Sequence, residues 1–293
     1  MRIAVGIATA GRCSVLAETL VELGRQTRLP DALFVCPAAR ADFDASQAVQ
    51  LPFPVNVVGA PRGLSVQRNA ILAAAQDFDV LMFFDDDFLA VPSYLAELEK
   101  CFAAHGSVVA ADGHVLADGI MGPGLDIASA RAILASFEAP KADLPLVSIY
   151  RAYGCNMALR LAPVRANGLR FDENLPLYGW AEDLDFCRQL AAYGLIVSNA
   201  RMAGVHLGIK VGRTSGVRFG YSQIANPYYL WRKGTHRPGH ALRQIVRNVG
   251  ANVVRSLSPE PWVDRRGRLF GNTLGFADLI RGRLDPKRIL ELK

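Results

Sequence analysis

Short apolar runs alternate with helix-period segments over the first 84 residues of this 293-residue chain. The runs are RIAVGIA, ALFVC, VNVVG and DVLMFF, and they are separated by LAETLVELGRQT and SVQRNAILAAAQ. The first of these separating segments places Leu16, Leu20 and Leu23 at helical spacing. Strands that alternate with helices form parallel sheets covered by helices. We therefore expect an α/β fold whose central sheet is mostly parallel.

Three consecutive aspartates, Asp85, Asp86 and Asp87, directly follow the last of these runs. Like charges on neighbouring side chains repel each other, and an acidic triplet is most often a solvated loop. In open α/β sheets, however, ligands bind beyond the carboxyl ends of the strands. A strand-end Asp-x-Asp directs two carboxylates the same way, and hard divalent cations in phosphate-handling enzymes are held by such groups. The triplet therefore predicts a site for Mg²⁺ or Mn²⁺ and a diphosphate.

A second acidic cluster, Glu182, Asp183 and Asp185, opens a predicted helix that runs to about Tyr193 and is capped by Gly194. The helix macrodipole favours negative charge at this end, so charge compensation explains the cluster as well as catalysis does. The aromatic segment just before the cluster favours catalysis. An aromatic ring stacks on a sugar face and raises the pKa of a nearby carboxylate towards that of a working base.

His206 lies in GVHLG, after a predicted strand over residues 195–205. A lone histidine is usually structural, but this one falls beyond the suspected acidic site, where its imidazole could complete a metal shell. The five cysteines include no C-x-x-C pair, which argues against a disulfide framework or a structural zinc site. The start, MRIAVGIATAGR, is typical of a strand and turn and not of a signal peptide, so we expect a cytoplasmic protein.

The charge of the chain is divided unevenly. Residues 201–293 carry 18 Lys and Arg against 5 Asp and Glu, whereas residues 1–200 carry 15 against 22. Within the basic part, ALRQIVRNVGANVVRSL places Arg243 and Arg247 off an apolar helical face. That face consists of Leu242, Ile245, Val246, Val249, Val253 and Leu257. Such a helix either packs on the catalytic domain or lies on an anionic membrane. If it binds a membrane, we expect the inner face of the plasma membrane.

Five blocks occur in a fixed order: VGIATAGR, GLSVQRNAIL, FFDDD, GCNMALR and GWAEDLDF. In this order they resemble the inverting glycosyltransferases of family 2, of the bacterial polysaccharide type, from residue 3 to about residue 235. The resemblance implies a GT-A fold, with a Rossmann-like sheet flanked by helices and, here, a basic helical C-terminal extension. It divides the chain into a catalytic domain over 1–235 and a C-terminal region over 236–293. Within the catalytic domain, the nucleotide-sugar half ends at about residue 115 and the acceptor half starts at 116.

The resemblance also implies roles for single residues. Asp87 would bind the cation. The nucleotide-sugar donor would be bound by Ala8, Thr9, Arg12, Arg68, Asn69, Asp85 and Asp86. Ala8, Thr9 and Arg12 would line the pocket for the nucleobase. Arg68 and Asn69 would approach the base or the phosphates, and Asp85 or Asp86 would hold the ribose.

On the acceptor side, the resemblance makes Asp183 the general base. Glu182 would contact the acceptor, beside the lead-in Tyr178, Gly179 and Trp180. The implied reaction moves a sugar, with inversion, to a hydroxyl of a glycan or of a polyprenyl-diphosphate-linked saccharide. In this family the second strand often ends in an aspartate that reads uracil, but here ALFVC is followed by Pro37. This departure leaves the identity of the nucleobase open, although a UDP-sugar is still the expected donor.

Three other functions fit part of the pattern. A sugar-1-phosphate nucleotidyltransferase also uses metal carboxylates, but ATAGRCS lacks that enzyme's glycine-rich start and lysine. A glycoside hydrolase uses two carboxylates but gives no reason for a strand-end triplet. Nucleic-acid binding is suggested by Tyr228, Tyr229, Trp231, Arg232 and Lys233. The acidic first 200 residues argue against it, so we expect no nucleic-acid partner.

Overall fold

The computed structural model describes residues 1–141, 144–211 and 214–293. The strands are β1 (Ile3–Thr9), β2 (Ala32–Pro37), β3 (Val55–Val57), β4 (Val80–Phe84), β5 (Phe88–Ala90), β6 (Val108–Asp118), β7 (Val147–Ser148), β8 (Asn156–Arg160) and β9 (Leu195–His206). The helices are α1 (Cys13–Leu23), α2 (Ser46–Val49), α3 (Leu64–Ala74), α4 (Tyr94–Ala104), α5 (Ile127–Ala135), α6 (Leu161–Ala166), α7 (Glu182–Leu190), α8 (Gly216–Lys233), α9 (Pro238–Arg255) and α10 (Arg265–Ile280). Short 3₁₀ turns occupy Arg40–Asp42, Gly119–Met121 and Pro286–Leu290.

The described strands form one sheet in the order β3-β2-β1-β4-β8-β6-β9-β5, with β7 paired to β9. Strand β1 pairs in parallel with β2 and β4, β3 with β2, and β9 with β6. Strands β5, β7 and β8 run against the other six. The expected α/β fold with a mostly parallel sheet is therefore confirmed.

Apolar side chains cover both faces of this sheet. On one face, Ile3 and Ile7 of β1 belong to the same buried cluster as Leu16 and Leu20 of α1. On the other face, Ala4 belongs to a cluster that contains Ile71 of α3. Each such side chain stabilises the fold by about 1.5–3 kcal/mol when it is fully buried. This two-sided core fixes the strand ends at which the acidic residues lie.

Helix α7 ends earlier than the sequence pattern predicts. Its last residue is Leu190, and Ala191 caps it in right-handed conformation. The predicted cap at Gly194 is therefore wrong, and Gly194 is not among the residues with positive φ. A Cβ at Gly194 would lie 2.3 Å from Ser107 O. The glycine is therefore required by a close approach of two backbones.

The three C-terminal helices pack through small and polar residues. A Cβ at Gly220 of α8 would lie 2.0 Å from Arg268 O of α10, so these two helices touch backbone to backbone. Asn252 of α9 is fully buried, and its Nδ2 donates to Gln223 Oε1 at 2.7 Å and to Asn272 Oδ1 at 2.9 Å. The packing of α9 therefore depends on a polar network.

The described residues leave most of the apolar face of α9 exposed, although Ile245 and Val249 are partly buried. Leu242 is 63% exposed, Val246 62% and Leu257, just beyond the helix, 86%. Helix α9 packs on α8 and α10 mainly through its other face, which carries Asn252. Within the described residues, every helix is too short or too polar to cross a lipid bilayer.

Candidate active site

The aspartate triplet forms the turn between β4 and β5, at the carboxyl end of a central strand as predicted. Asp85 N donates to Cys155 O at 3.0 Å, which ties the start of this turn to the neighbouring segment before β8. The three carboxylates then take up different partners, and each therefore has its own environment.

Asp86 is buried and connects the triplet to the end of β1. Its Oδ2 accepts a hydrogen bond from Thr9 Oγ1 at 2.7 Å, and its Oδ1 accepts one from Arg12 Nη1 at 2.8 Å. Burial raises the pKa of Asp86 to about 6, although Arg12 opposes this rise. Asp86 thereby fixes Thr9 and Arg12 in place at the edge of the sheet.

Asp87 has one carboxylate oxygen that is left without a hydrogen bond. Its Oδ2 accepts from Ile209 N at 2.8 Å, but no described residue hydrogen bonds to the buried Oδ1. His206 Nε2 lies 3.4 Å from this Oδ1. Ligand atoms of Asp85, Asp87 and His206 all lie within 4.8 Å of one another. A buried carboxylate oxygen that accepts no hydrogen bond is costly, so these residues fit a divalent cation.

His206 is oriented by a second carboxylate that the sequence reading missed. Its Nδ1 lies 2.8 Å from Asp118 Oδ1, and Tyr153 Oη donates to Asp118 Oδ2 at 3.1 Å. Such carboxylate–histidine pairs orient metal ligands in many proteins. Burial lowers the pKa of His206, but Asp118 and Asp87 outweigh it and raise this pKa to about 10. The pairing of β6 with β9 would have located Asp118, because in the register of these two strands Asp118 lies opposite His206.

The pKa of Asp87 shifts in the opposite direction. Burial raises it, but contacts with His206 and Arg12 outweigh burial and lower the pKa to about 2. Arg12 Nη1 lies 3.4 Å from Asp87 Oδ2, so the same guanidinium serves both Asp86 and Asp87. Repulsion within the triplet is thus relieved on one side by Arg12 and on the other by His206.

Arg68 joins the triplet to the second acidic cluster. It is fully buried, and its Nη1 donates to Glu182 Oε1 at 2.6 Å while its Nη2 donates to Asp85 Oδ1 at 3.2 Å. Its guanidinium lies 5.3 Å from the centre of the Phe83 ring. Burial raises the pKa of Glu182 to about 8, against the effect of Arg68. The two acidic clusters therefore belong to one network.

Asp183 also lies at the second cluster, in a different setting. Its Oδ2 accepts hydrogen bonds from Arg151 Nη1 at 2.5 Å and from Gly154 N at 3.1 Å, and its Oδ1 accepts one from Leu184 N at 2.7 Å. Asp185 instead points away, where it binds Lys233 Nζ at 2.8 Å. Asp183 thus lines a cavity, whereas Asp185 ties α7 to the end of α8.

The lead-in to α7 has a strained backbone. Leu177 has φ 57° and Ala181 has φ 74°, and in the described part of the chain no other non-glycine residue has positive φ. Gly179, between them, has φ 63°. Strain of this kind costs about 1–3 kcal/mol per residue and is common where side chains must be held for function. Here it directs Tyr178 and Trp180 into the cleft beside Asp183.

Two cavities meet at this network. The first, of about 250 Å³, is lined by five of the predicted donor residues, Ala8, Thr9, Arg12, Asp85 and Asp86. It is also lined by Arg62, Gln67 and Arg218, which the sequence reading missed. The second, of about 690 Å³, is lined by Arg68, Asp85, Tyr178, Trp180, Glu182 and Asp183 together with residues of the C-terminal helices. Asp85, Leu64, Tyr178 and Thr214 line both cavities.

Two of the predicted donor-binding residues, Arg68 and Asn69, do not line the first cavity. Asn69 Nδ2 donates to Phe171 O at 2.9 Å and to Glu173 Oε1 at 2.8 Å, and its Oδ1 accepts from Phe171 N. It therefore holds the segment before α7 and lines neither cavity. Arg68 lines the second cavity and not the first, because Glu182 and Asp85 bind its guanidinium.

Comparison with known proteins identifies the fold. No family model matches the sequence, and no curated protein matches it. Among solved structures, TarS 1-349 from S. aureus in complex with UDP-GlcNAc is 14% identical with a TM-score of 0.59, over 99% of this chain and 83% of that chain. The mannosyltransferase PcManGT from Pyrobaculum calidifontis, in complex with GDP-Man and Mn²⁺, is 15% identical with a TM-score of 0.58, over 99% and 85%.

A third structure, GalNAc-T7 with UDP, GalNAc and Mn²⁺, is 12% identical with a TM-score of 0.58, over 100% of this chain and 56% of that chain. At these identities the likeness establishes the fold. The chain has the GT-A fold that its sequence blocks predict.

Proposed function

We propose that this protein is a metal-dependent, inverting glycosyltransferase. It moves a sugar from a nucleoside diphosphate sugar, with a UDP-sugar as the first candidate, to a hydroxyl of a glycan or of a polyprenyl-diphosphate-linked saccharide. One observation carries the proposal: the two cavities share Asp85, beside the Asp87 oxygen that accepts no hydrogen bond from the described residues. A donor in one cavity and an acceptor in the other would meet at that point.

The donor side supplies charges that suit a diphosphate. Asp85, Asp87 and His206 would hold Mn²⁺ or Mg²⁺, and such an ion, when bound, neutralises the charge of the leaving diphosphate. Arg12 and Arg62 line the first cavity and add positive charge there. The nucleobase of the donor is left open, because TarS is bound to UDP-GlcNAc whereas PcManGT is bound to GDP-Man.

The acceptor side supplies the general base, Asp183. Asp183 would take the proton of the acceptor hydroxyl while the hydroxyl oxygen attacks the anomeric carbon, and the bond to the diphosphate breaks on the opposite face. Arg151 and the Gly154 amide orient its Oδ2. An ionised carboxylate has about four acceptor sites, so three hydrogen bonds leave capacity for the hydroxyl. General base catalysis of this kind contributes about 10²–10⁴-fold.

The exposed face of α9 supports attachment to an anionic membrane. Residues 201–293 carry 18 basic against 5 acidic side chains, and Leu242, Val246 and Leu257 are exposed in the same region. Basic residues near an anionic leaflet contribute about 1 kcal/mol each, and apolar burial supplies the second signal that stable attachment needs. The proposed location is the cytoplasmic side of the plasma membrane, where a lipid-linked acceptor would be found.

Cleavage of nucleotide sugars tests the proposal. The purified protein is incubated with a panel of UDP-, GDP- and TDP-sugars, with Mn²⁺ or with EDTA, and the released sugar is followed by proton NMR before its anomers equilibrate. We expect cleavage of one donor class only with the cation, and release of the sugar with inverted configuration. Retention of configuration, or equal cleavage in EDTA, would contradict the proposal.

A further inference from the structure

The two sides of the second cavity carry opposite charges. The catalytic side presents four carboxylates, those of Asp85, Asp118, Glu182 and Asp183. It also presents Arg68 and Arg151, which bind three of these carboxylates, so the net charge of this side is negative. The side formed by α9 and α10 presents four arginines, Arg247, Arg255, Arg265 and Arg268, and among the described lining residues these helices contribute no acidic side chain. The cavity is thus polarised between the proposed base and the C-terminal region.

Helix α9 turns its polar face towards this cavity. The lining residues Gln244, Arg247, Ala251 and Arg255 recur every three to four positions and therefore share one helical face. A surface helix normally covers the protein with its apolar face and leaves the polar one in water. The reversed orientation of α9 makes sense if the polar face binds something in the cavity.

Asn248 supplies a second sign that a ligand binds here. It lines the cavity, and its Nδ2 is buried with no hydrogen-bond partner among the described residues. Amide N–H groups are donors only, so the missing partner is an acceptor. An oxygen-rich ligand in the cavity would satisfy this donor.

The positive charge on the α9 and α10 side of the second cavity is only partly neutralised within the protein. Glu260 binds both Arg255 Nη1, at 2.7 Å, and Arg265 Nε, at 2.8 Å, so one carboxylate serves two guanidinium groups. Arg268 lies over the Phe219 ring, 4.4 Å from its centre. Arg247 forms no hydrogen bond or ion pair with any residue in the described ranges. An excess of positive charge therefore faces the acceptor space.

We propose, building on the function proposed above, that the acceptor is an anionic saccharide whose phosphate or carboxylate group binds Arg247 and Arg255. A guanidinium group presents a planar fork of donors that matches the oxygens of either anion in a bidentate manner. Asn248 donates to the same ligand. The acceptor hydroxyl would then point across the cavity to Asp183, on the opposite wall.

Calorimetric titration with small probes tests this inference. The full-length protein, in EDTA and at low ionic strength, is titrated with glucose, glucose 6-phosphate, glucuronate and geranyl diphosphate. We expect the anionic probes to bind and glucose not to bind. Tighter binding of glucose 6-phosphate than of glucuronate assigns the site to phosphate, and the reverse assigns it to carboxylate. Preference for geranyl diphosphate would identify a lipid-linked diphosphate as the source of the charge.

Variants locate the binding. Arg247→Gln and Arg255→Gln should each raise the Kd of the preferred probe about tenfold or more, since each removes a charged hydrogen bond. Arg243→Gln, on the same helix but outside the cavity, is the matched control and should leave that Kd unchanged. The inference is overturned if no anionic probe binds better than glucose, or if the Arg247 and Arg255 variants bind the probe as the control does.

Cleavage of nucleotide sugars by the wild-type protein is measured in parallel. Probe binding without any such cleavage would keep the anion site and reject the proposed glycosyl transfer. Cleavage without probe binding would keep the transfer and reject the anionic acceptor.

Discussion

Arg68 Nη1 lies 2.6 Å from Glu182 Oε1, and both side chains are buried. The two residues are 114 positions apart in the chain, and Nη2 of the same guanidinium reaches Asp85 at 3.2 Å. This ion pair therefore joins helix α3, the end of β4 and the start of α7. It holds the donor-side triplet and the acceptor-side cluster in one fixed arrangement.

Replacing Arg68 should therefore destabilise the whole fold. Arg68→Met leaves Glu182 and the Gly154 carbonyl buried without their partner, and loss of one member of a buried pair costs about 3–5 kcal/mol. Urea unfolding measures the change in the free energy of unfolding. Arg25→Met removes an exposed guanidinium from Glu22, which keeps its ion pair with Arg131, so this control should cost less than about 1 kcal/mol. Equal effects of the two substitutions would mean that the buried pair stabilises no more than a surface one.

Asp183→Asn should stop proton removal without disturbing donor binding. The amide keeps the shape of the carboxylate but cannot accept the proton, so kcat should fall about 10²-fold or more. Transfer kinetics and the donor Kd are both measured. Asp185→Asn is the matched control on the same helix, and it should keep the transfer rate, since Asp185 binds Lys233 and Thr235. A near-normal rate in the Asp183 variant would move the base to Glu182.

Glu260 should make stability depend on pH through the link between α9 and α10. Hydrogen bonds from Arg265 lower the pKa of Glu260 from 4.5 to about 2. Because the folded-state pKa is the lower one, the contribution of Glu260 is complete above about pH 4.5 and is lost as the pH falls towards 2. We expect a contribution of about 1 kcal/mol or less, as for other surface pairs.

The measurement compares urea unfolding of the wild type and of Glu260→Gln between pH 7 and pH 3. The difference between the two proteins should be largest at pH 7 and should shrink below about pH 4.5. Glu138→Gln, at an exposed position, is the control. A difference that stays constant down to pH 3 would show that the ion pairs of Glu260 do not stabilise the fold.

Membrane attachment should depend on the exposed face of α9. The wild type should sediment with vesicles that contain anionic lipid, should stay in the supernatant with neutral vesicles, and should be released by salt. Leu242→Ser combined with Val246→Ser should weaken the binding, because both side chains are exposed and would enter the headgroup layer. Val49→Ser, exposed on the short helix α2, is the control. Equal recovery of the wild type from both kinds of vesicle would favour a soluble acceptor.

The sequence predicts the strand-end position of the acidic residues well. Apolar runs and helical periods place the triplet at the end of β4 and the second cluster at the start of α7, because both patterns are local. The contacts between distant segments do not follow from local patterns. Asp118 meets His206 only because β6 and β9 lie side by side. Helix α9 contributes Arg247 to the second cavity only because the polar network around Asn252 docks it on α8 and α10.

The directions in which Asn69 and the apolar face of α9 point also depend on contacts between distant segments. Asn69 follows Arg68 on helix α3, but successive helical residues point about 100° apart, so one faces the cavity network and the other the segment near Phe171. The apolar pattern of α9 correctly marks one face of a helix. It does not say which face meets the protein, since a buried polar network around Asn252 decides the orientation.

The most direct test of the proposed function is the effect of Asp87→Ala on nucleotide binding. Calorimetric titration with UDP, and with GDP if UDP does not bind, is carried out with Mn²⁺ and with EDTA. Asp77→Ala, an exposed aspartate at the opposite end of β4, is the control. We predict that the wild type and Asp77→Ala bind the nucleotide only with Mn²⁺, and that Asp87→Ala remains folded but loses this metal-dependent binding. Equal, Mn²⁺-dependent affinity in the Asp87 variant would contradict the proposed metal site and the glycosyl transfer that depends on it.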